Sequence, residues 1–119
     1  MVNFIRGDMV LCDLNPVVGT EQAGIRPVVI VQIDRANAVS PHTIIAPFTS
    51  KINRALLPSH VLVPAGVGGL SLNSVILCEQ LRVIDKSRIM KKIGSSRRSL
   101  SRRISKSVEY NIGFVPKIA

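Results

Sequence analysis

Apolar residues cluster in short bursts along the first two thirds of the chain, then recur every fourth position near its end. Residues 9–14 (MVLCDL) are apolar but for a late Asp13, which predicts a buried strand entered after Gly7-Asp8. The stretch 15–27 (NPVVGTEQAGIRP) holds two prolines and two glycines and reads as a long loop, a type that in small domains tends to be functional. Residues 28–33 (VVIVQI) are β-branched and nearly all apolar, as in a strand buried on both faces. After a connector at 34–41, residues 43–48 (TIIAPF) predict a strand that Pro47 ends or bulges. A polar, basic segment, 51–58, leads to a short strand at 60–63 (HVLV), and the glycine-rich stretch 64–74 reads as loop. The last strand region, 75–84 (VILCEQLRVI), is interrupted by Glu79-Gln80, which predicts a bulge or bend at a sheet rim.

From Asp85 the period changes. Asp85 is placed to cap a short helix over 85–94, closed by Gly94. Ser95 or Ser96 then caps a second helix, in which Leu100, Ile104, Val108 and Ile112 form one apolar stripe. Five or six short strands followed by a covering helix predict a mainly β fold with α: a small β-barrel with one C-terminal helix.

At 119 residues the chain is expected to form a single domain over 1–119, with a core that needs no staples. No apolar run approaches the ~18–20 residues of a membrane span, and residues 1–10 lack the apolar stretch of a secretory signal. The expected location is the cytoplasm. Cys12 and Cys78 are isolated within apolar runs, which reads as core packing rather than a disulfide or zinc framework. The net charge of +9 is unevenly spread: residues 1–81 are neutral, and the whole excess lies in 82–119. That asymmetry fits a polyanionic partner, nucleic acid or an acidic protein segment, or a solvated basic helix that serves solubility.

Several chemistries are missing. The GVGG run (66–69) lacks the Lys-Ser/Thr of a phosphate loop, and no G-x-S-x-G or H-E-x-x-H is present. His42 and His60 stand apart from each other and from both cysteines, so no metal or other cofactor is expected. Four aromatic residues make a poor stacking platform for bases. What remains is a polar group on the long loop and on strand ends: Thr20-Glu21-Gln22, Arg26, Thr49-Ser50 and Glu79-Gln80.

Here the sequence resembles a known family. RGDMVLCDLNPVVGTEQAGIRPVVIVQ (6–32) is similar to the signature of the MazF/PemK toxins, endoribonucleases of bacterial toxin–antitoxin pairs, and the resemblance continues through APFTS (46–50), LPSHV (57–61), SVILCEQLRVIDKSRI (74–89) and KKIG (91–94). It implies an SH3-like barrel, usually a homodimer, that cuts single-stranded RNA and is held in check by an antitoxin. The family's catalytic arginine and threonine fall on Arg26 and Thr49. Elementary chemistry agrees: RNA carries its own nucleophile, the 2′-OH, so the enzyme must hold the phosphodiester in line and stabilise charge on the phosphate. A guanidinium, always charged and a planar double donor, suits that task, and the Thr49 hydroxyl can hydrogen-bond the phosphate or the 2′-OH. Glu21 and Glu79 are both candidates for proton transfer. Thr20, Gln22, Ser50, Lys51 and Gln80 are expected to touch RNA.

Structural readings stand beside these. Arg26 can anchor the loop by pairing with Glu21, Thr49-Ser50 can be a turn, and Glu79-Gln80 can satisfy backbone groups at a bulge. Two departures mark the chain. Some family branches carry a further arginine two residues before the acid of their C-D-Q segment; that position is Leu77, and the acid is Glu79. The C-terminal helix, commonly acidic in relatives, carries RRSLSRRISK. Two other functions are compatible with a barrel of this kind: a protein-binding toxin like the related gyrase poisons, and a non-catalytic RNA-binding module.

Overall fold

Strands buried on both faces feed two separate cores. The computed structural model describes residues 3–19, 21–51 and 57–113. In it β1 (Asp8–Asp13) pairs antiparallel with β2 (Ile25–Ile30), Val10 opposite Val28. Successive side chains of a strand leave opposite faces. Met9 and Val29 therefore join a cluster with Phe48, Ile76, Leu100 and Ile104, while Val10, Val28 and Ile30 join a second with Cys12, Leu14 and Ile45. The run at 28–33 is unbroken because each face meets a core, although the strand itself stops at Ile30.

The organising strand is β3 (His42–Thr49). Along one edge it pairs with β2, Val28 opposite Pro47. Along the other it takes two partners in turn: β6 (Arg82–Asp85) against residues 42–45, and β5 (Ser74–Leu77) against Phe48 and Thr49. Pro47 neither ends nor bulges the strand. It falls where β6 has stopped and β5 has not begun, so its missing N–H removes no ladder bond on that side. β4 (His60–Val63) pairs with β5, and β7 (Ile89–Ser95) pairs with β1. Every pairing is antiparallel, in the order β4-β5-β3-β2-β1-β7 with β6 beside β3. Among the described residues no ladder joins β4 to β7, so the expected barrel is an open one: a mostly antiparallel sheet with one main C-terminal helix.

Two local expectations are overturned. The connector at 34–41 contains a short helix, α1 (Asp34–Val39), whose Asn37 is buried and accepts from Thr43 Oγ1 at 2.8 Å. The helix expected over 85–94 is absent. Asp85 caps only a single 3-10 turn, Lys86–Arg88, accepting from the Ser87 N–H at 2.8 Å. The chain then runs into β7, because β1 offers a free edge and long-range pairing overrides the helical spacing of Ile89 and Ile93. Gly94 ends no helix. It lets the turn Val67–Gly69 press on β7: a Cβ there would lie 2.3 Å from the Gly68 carbonyl oxygen, and one at Gly69 2.0 Å from that of Ile93.

The second expected helix is present as α2 (Arg98–Asn111). Leu100 and Ile104 are buried against the first core and Val108 packs at its margin, but Ile112 lies beyond the helix and is exposed. Arg97, not Ser95 or Ser96, occupies the cap position; the Ser96 hydroxyl pairs instead with that of Ser101 at 2.5 Å. No helix among the described residues is long and apolar enough to cross a membrane.

Candidate active site

Sheet register brings Arg26 and Thr49 together. The β2–β3 ladder ends with Val28 opposite Pro47, and Arg26 and Thr49 each lie two residues beyond that pair at the same end of their strands. The guanidinium is held by main-chain carbonyls: Nε donates to Ala23 at 2.8 Å and Nη1 to Phe48 at 3.1 Å. Among the described residues Nη2 makes no hydrogen bond. Glu21 is not its partner, contrary to the loop-anchor reading; that carboxylate accepts from the Val18 N–H at 3.2 Å. The Thr49 hydroxyl accepts from the Lys51 N–H at 3.2 Å, which leaves its own O–H free to donate. Arg26, Thr49 and Ser50 share a cleft of about 260 Å³ whose other wall is Leu70, Leu72 and Ser74.

Four more of the predicted residues gather in a second cleft of about 250 Å³, while Lys51 is exposed and lines neither. Glu21, Gln22, Glu79 and Gln80 line it, with Pro47 and Arg82. Pro47 borders this cleft and Phe48 the first, so the two open on adjacent positions of β3. The interruption at Glu79-Gln80 is a 3-10 turn, Cys78–Gln80, that carries the chain from β5 to β6. Both strands flank the same edge of β3, which is what delivers the two side chains beside Pro47. Gln80 Oε1 accepts from the Gln22 N–H at 2.9 Å and so ties this turn to the long loop. Thr20 lies outside the described residues, as do 52–56 of the basic segment.

Three anchoring residues were not singled out by the sequence. His60 Nε2 lies 2.7 Å from Glu79 Oε2, while its Nδ1 accepts from the Leu57 N–H at 3.3 Å. That acceptor role puts the ring proton on Nε2, aimed at the carboxylate. Arg82 donates to the carbonyls of Leu14 and Pro16, and Arg88 to those of Asp13 and Asn15, so the base of the long loop is clamped by two guanidiniums. The signal for all three is long-range pairing, such as His60 opposite Leu77, which no local pattern carries. Both cysteines are core residues. Burial pushes the Cys12 thiol up to about 11 and the Cys78 thiol up to about 12. Among the described residues no three His, Cys, Asp or Glu side chains come together as a metal site.

The fold is thus a small, open antiparallel sheet with an arginine and a hydroxyl in one cleft and a row of polar side chains in the next. Residues 5–112 match the model of the PemK-like, MazF-like toxins of type II toxin-antitoxin systems, and the chain belongs to that family. It is 42% identical over 108 residues to the endoribonuclease MazF of Staphylococcus saprophyticus, covering 91% of this chain and 90% of that one. It is 40% identical over 110 residues to the endoribonuclease EndoA of Bacillus subtilis, covering 92% and 95%. Among solved structures, MazF from Deinococcus radiodurans superposes with a TM-score of 0.81 at 23% identity, over 95% of this chain and 99% of that one. An endoribonuclease in complex with its cognate antitoxin, from a mycobacterial species, superposes with a TM-score of 0.78 at 17% identity, over 95% and 98%. The toxin expected from the sequence, with RNA-cleaving relatives, is therefore the family found.

Proposed function

We propose that this chain cuts single-stranded RNA at internal phosphodiesters, with the RNA's own 2′-OH as nucleophile and without a metal ion. The observation that carries the reading is the convergence of Arg26 and Thr49 in one cleft, with the Arg26 guanidinium tied to the Phe48 carbonyl beside Thr49. Attack forms a bond from the 2′ oxygen to phosphorus and breaks the bond from phosphorus to the 5′ oxygen. The 2′-OH loses a proton and the leaving oxygen gains one, so the products carry a 2′,3′-cyclic phosphate and a 5′-hydroxyl. Arg26 donates from Nη2 to a phosphate oxygen, and being already tied to Phe48 it needs no reorganisation as charge builds. Thr49 donates its O–H to the same phosphate. Glu21 and Glu79 are the two carboxylates at hand for moving protons.

Nucleotides flanking the cut lie along the second cleft, where Gln22, Glu79 and Gln80 meet base edges, while Ser50 and Lys51 meet the backbone. By extension from its family the chain works as a homodimer in the cytoplasm, with a cognate antitoxin protein as its inhibitor. The decisive experiment is cleavage of a single-stranded RNA by purified protein with EDTA present. Cut ends of the stated chemistry are expected, and a 2′-deoxy sugar at the scissile nucleotide should abolish cutting. Intact RNA overturns the activity; cleavage lost only in EDTA overturns the metal-free chemistry.

A further inference from the structure

The far wall of the reactive cleft holds a leucine in the open. Of the large apolar side chains that line the two clefts, Leu14, Ile45, Phe48 and Leu70 are buried and Leu81 is half-buried, whereas Leu72 is 60% exposed. A lone exposed leucine means little by itself. This one sits in the cleft that contains Arg26 and Thr49, on a segment that is fixed on both sides. The Leu72 carbonyl accepts from Ser74 Oγ at 2.9 Å, Asn73 Oδ1 accepts from the Ala65 N–H at 2.8 Å, and the Gly66 N–H donates to the Leu70 carbonyl at 2.8 Å. Three hydrogen bonds thus hold in place a side chain that the core does not use. Its position follows from β5. Thr49 lies opposite Val75, Leu72 precedes that strand by two residues, and Glu79 follows it by two. The four residues of β5 keep the two ends about 10 Å of strand apart.

We infer that Leu72 seats the base of the nucleotide on the side of the scissile phosphate away from the second cleft. The inference rests on the RNA-cutting function proposed above. An RNA strand whose phosphate is held at Arg26 and Thr49 leaves that point in both directions along β5. One neighbour goes toward Glu79 and Gln80, the other toward Leu72. The face of a base is broad and largely apolar, and laid on Leu72 it removes both surfaces from water. Phe48, the aromatic residue of this cleft, is buried, so Leu72 stands where an aromatic platform would otherwise be needed. Apolar contact is non-directional and accepts any base, so Leu72 serves placement while the reading of base edges stays with the second cleft. A seated base fixes the ribose next to the phosphate, which favours the in-line approach of the 2′-OH.

The test is a double-mutant cycle between Leu72 and the base. Cleavage is compared for wild type and Leu72→Ala on an intact short RNA and on two substrates that lack the base on one or the other side of the cut. Leu72→Ala should cut the intact RNA with kcat/KM lower by about tenfold, as expected for exposing a leucine that substrate had covered. On one of the two abasic substrates wild type should fall by a similar factor and Leu72→Ala by little more. Leu72→Met, close in volume, should restore most of the rate. A loss that persists unchanged on both abasic substrates would mean that Leu72 acts through the fold or through contact between copies, and would overturn the inference. So would equal cutting of intact RNA by wild type and Leu72→Ala. Wild-type protein that leaves intact RNA uncut overturns the RNA-cutting function itself, a result distinct from either of these. If Leu72→Ala fails to fold by circular dichroism, Leu72→Asn, near in size but polar, carries the same comparison.

Discussion

The guanidinium of Arg26 is fastened to the strand that carries Thr49, Nη1 donating to the Phe48 carbonyl at 3.1 Å. Two of its nitrogens thus brace the fold, and one is left for a ligand. Arg26→Ala should lower cleavage by about 10²-fold or more, the usual cost of losing a donor aimed at developing charge. It should also lower stability by ~1–3 kcal/mol, through the carbonyls it leaves unpaired. Arg26→Lys keeps the charge but not the fork, and should stay strongly impaired. Single-turnover cleavage and urea melts on the same preparations separate the two effects; near-normal cleavage by Arg26→Ala would remove it from the reaction.

Thr49 is predicted to act through its O–H. Thr49→Ser retains the hydroxyl and should keep most of the cleavage rate, whereas Thr49→Val, close in shape, should lose it. Comparable rates for the two variants would leave Thr49 a purely structural residue that accepts from Lys51.

His60 is expected to position Glu79. His60→Ala frees both the carboxylate and the Leu57 N–H, and should raise KM several-fold while kcat changes less, as for a residue that shapes RNA binding. His60→Gln, which restores a donor toward Glu79, should recover part of the loss. A fall in kcat at unchanged KM would instead put His60 at the reacting phosphate.

Gly94→Ala should destabilise the chain by about 1–3 kcal/mol, since the new methyl must displace main-chain atoms of the Val67–Gly69 turn. Thermal melts check this. An unchanged melting temperature would mean that the turn yields freely.

The cysteines give a pH prediction. Burial raises both folded thiols above their ordinary value of 9.0, so folding keeps them protonated while the unfolded chain ionises. Their contribution is complete below pH 9 and is lost as pH rises toward about 11 for Cys12 and about 12 for Cys78. Each thiol adds a slope of at most about 1.4 kcal/mol per pH unit in that window. Cys78→Ala should therefore show a flatter fall in stability than wild type between pH 9 and pH 11. Parallel curves would contradict the assignment.

The elements visible in the sequence are those whose burial is declared locally. Residues 28–33 and 60–63 are apolar whichever way the chain turns, and Leu100 and Ile104 repeat at helical spacing. The sequence of β7 carries a helical spacing, Ile89 and Ile93 being four apart, while the pairing with β1 that makes it a strand spans most of the chain. Arg26 and Thr49 were legible through the motif around them. Their separation from Glu79 and Gln80 was not, because it follows from the change of partners along β3, which no segment encodes by itself. His60 escaped notice for the same reason: its neighbour across the ladder, Leu77, lies seventeen positions on.

The handover at Pro47 has an evolutionary reading. The turn Cys78–Gln80 hangs between two strands that are each pinned to β3 by their own pairings, and only its Cys78 is buried in the core, so Glu79 and Gln80 can change without unpinning either strand. On the function proposed above, exchanging these two residues would change the preferred cutting sequence while the cleft of Arg26 and Thr49 stays in place. Grafting the corresponding turn of one relative into another is then a route to new sequence preferences that leaves the reactive cleft untouched.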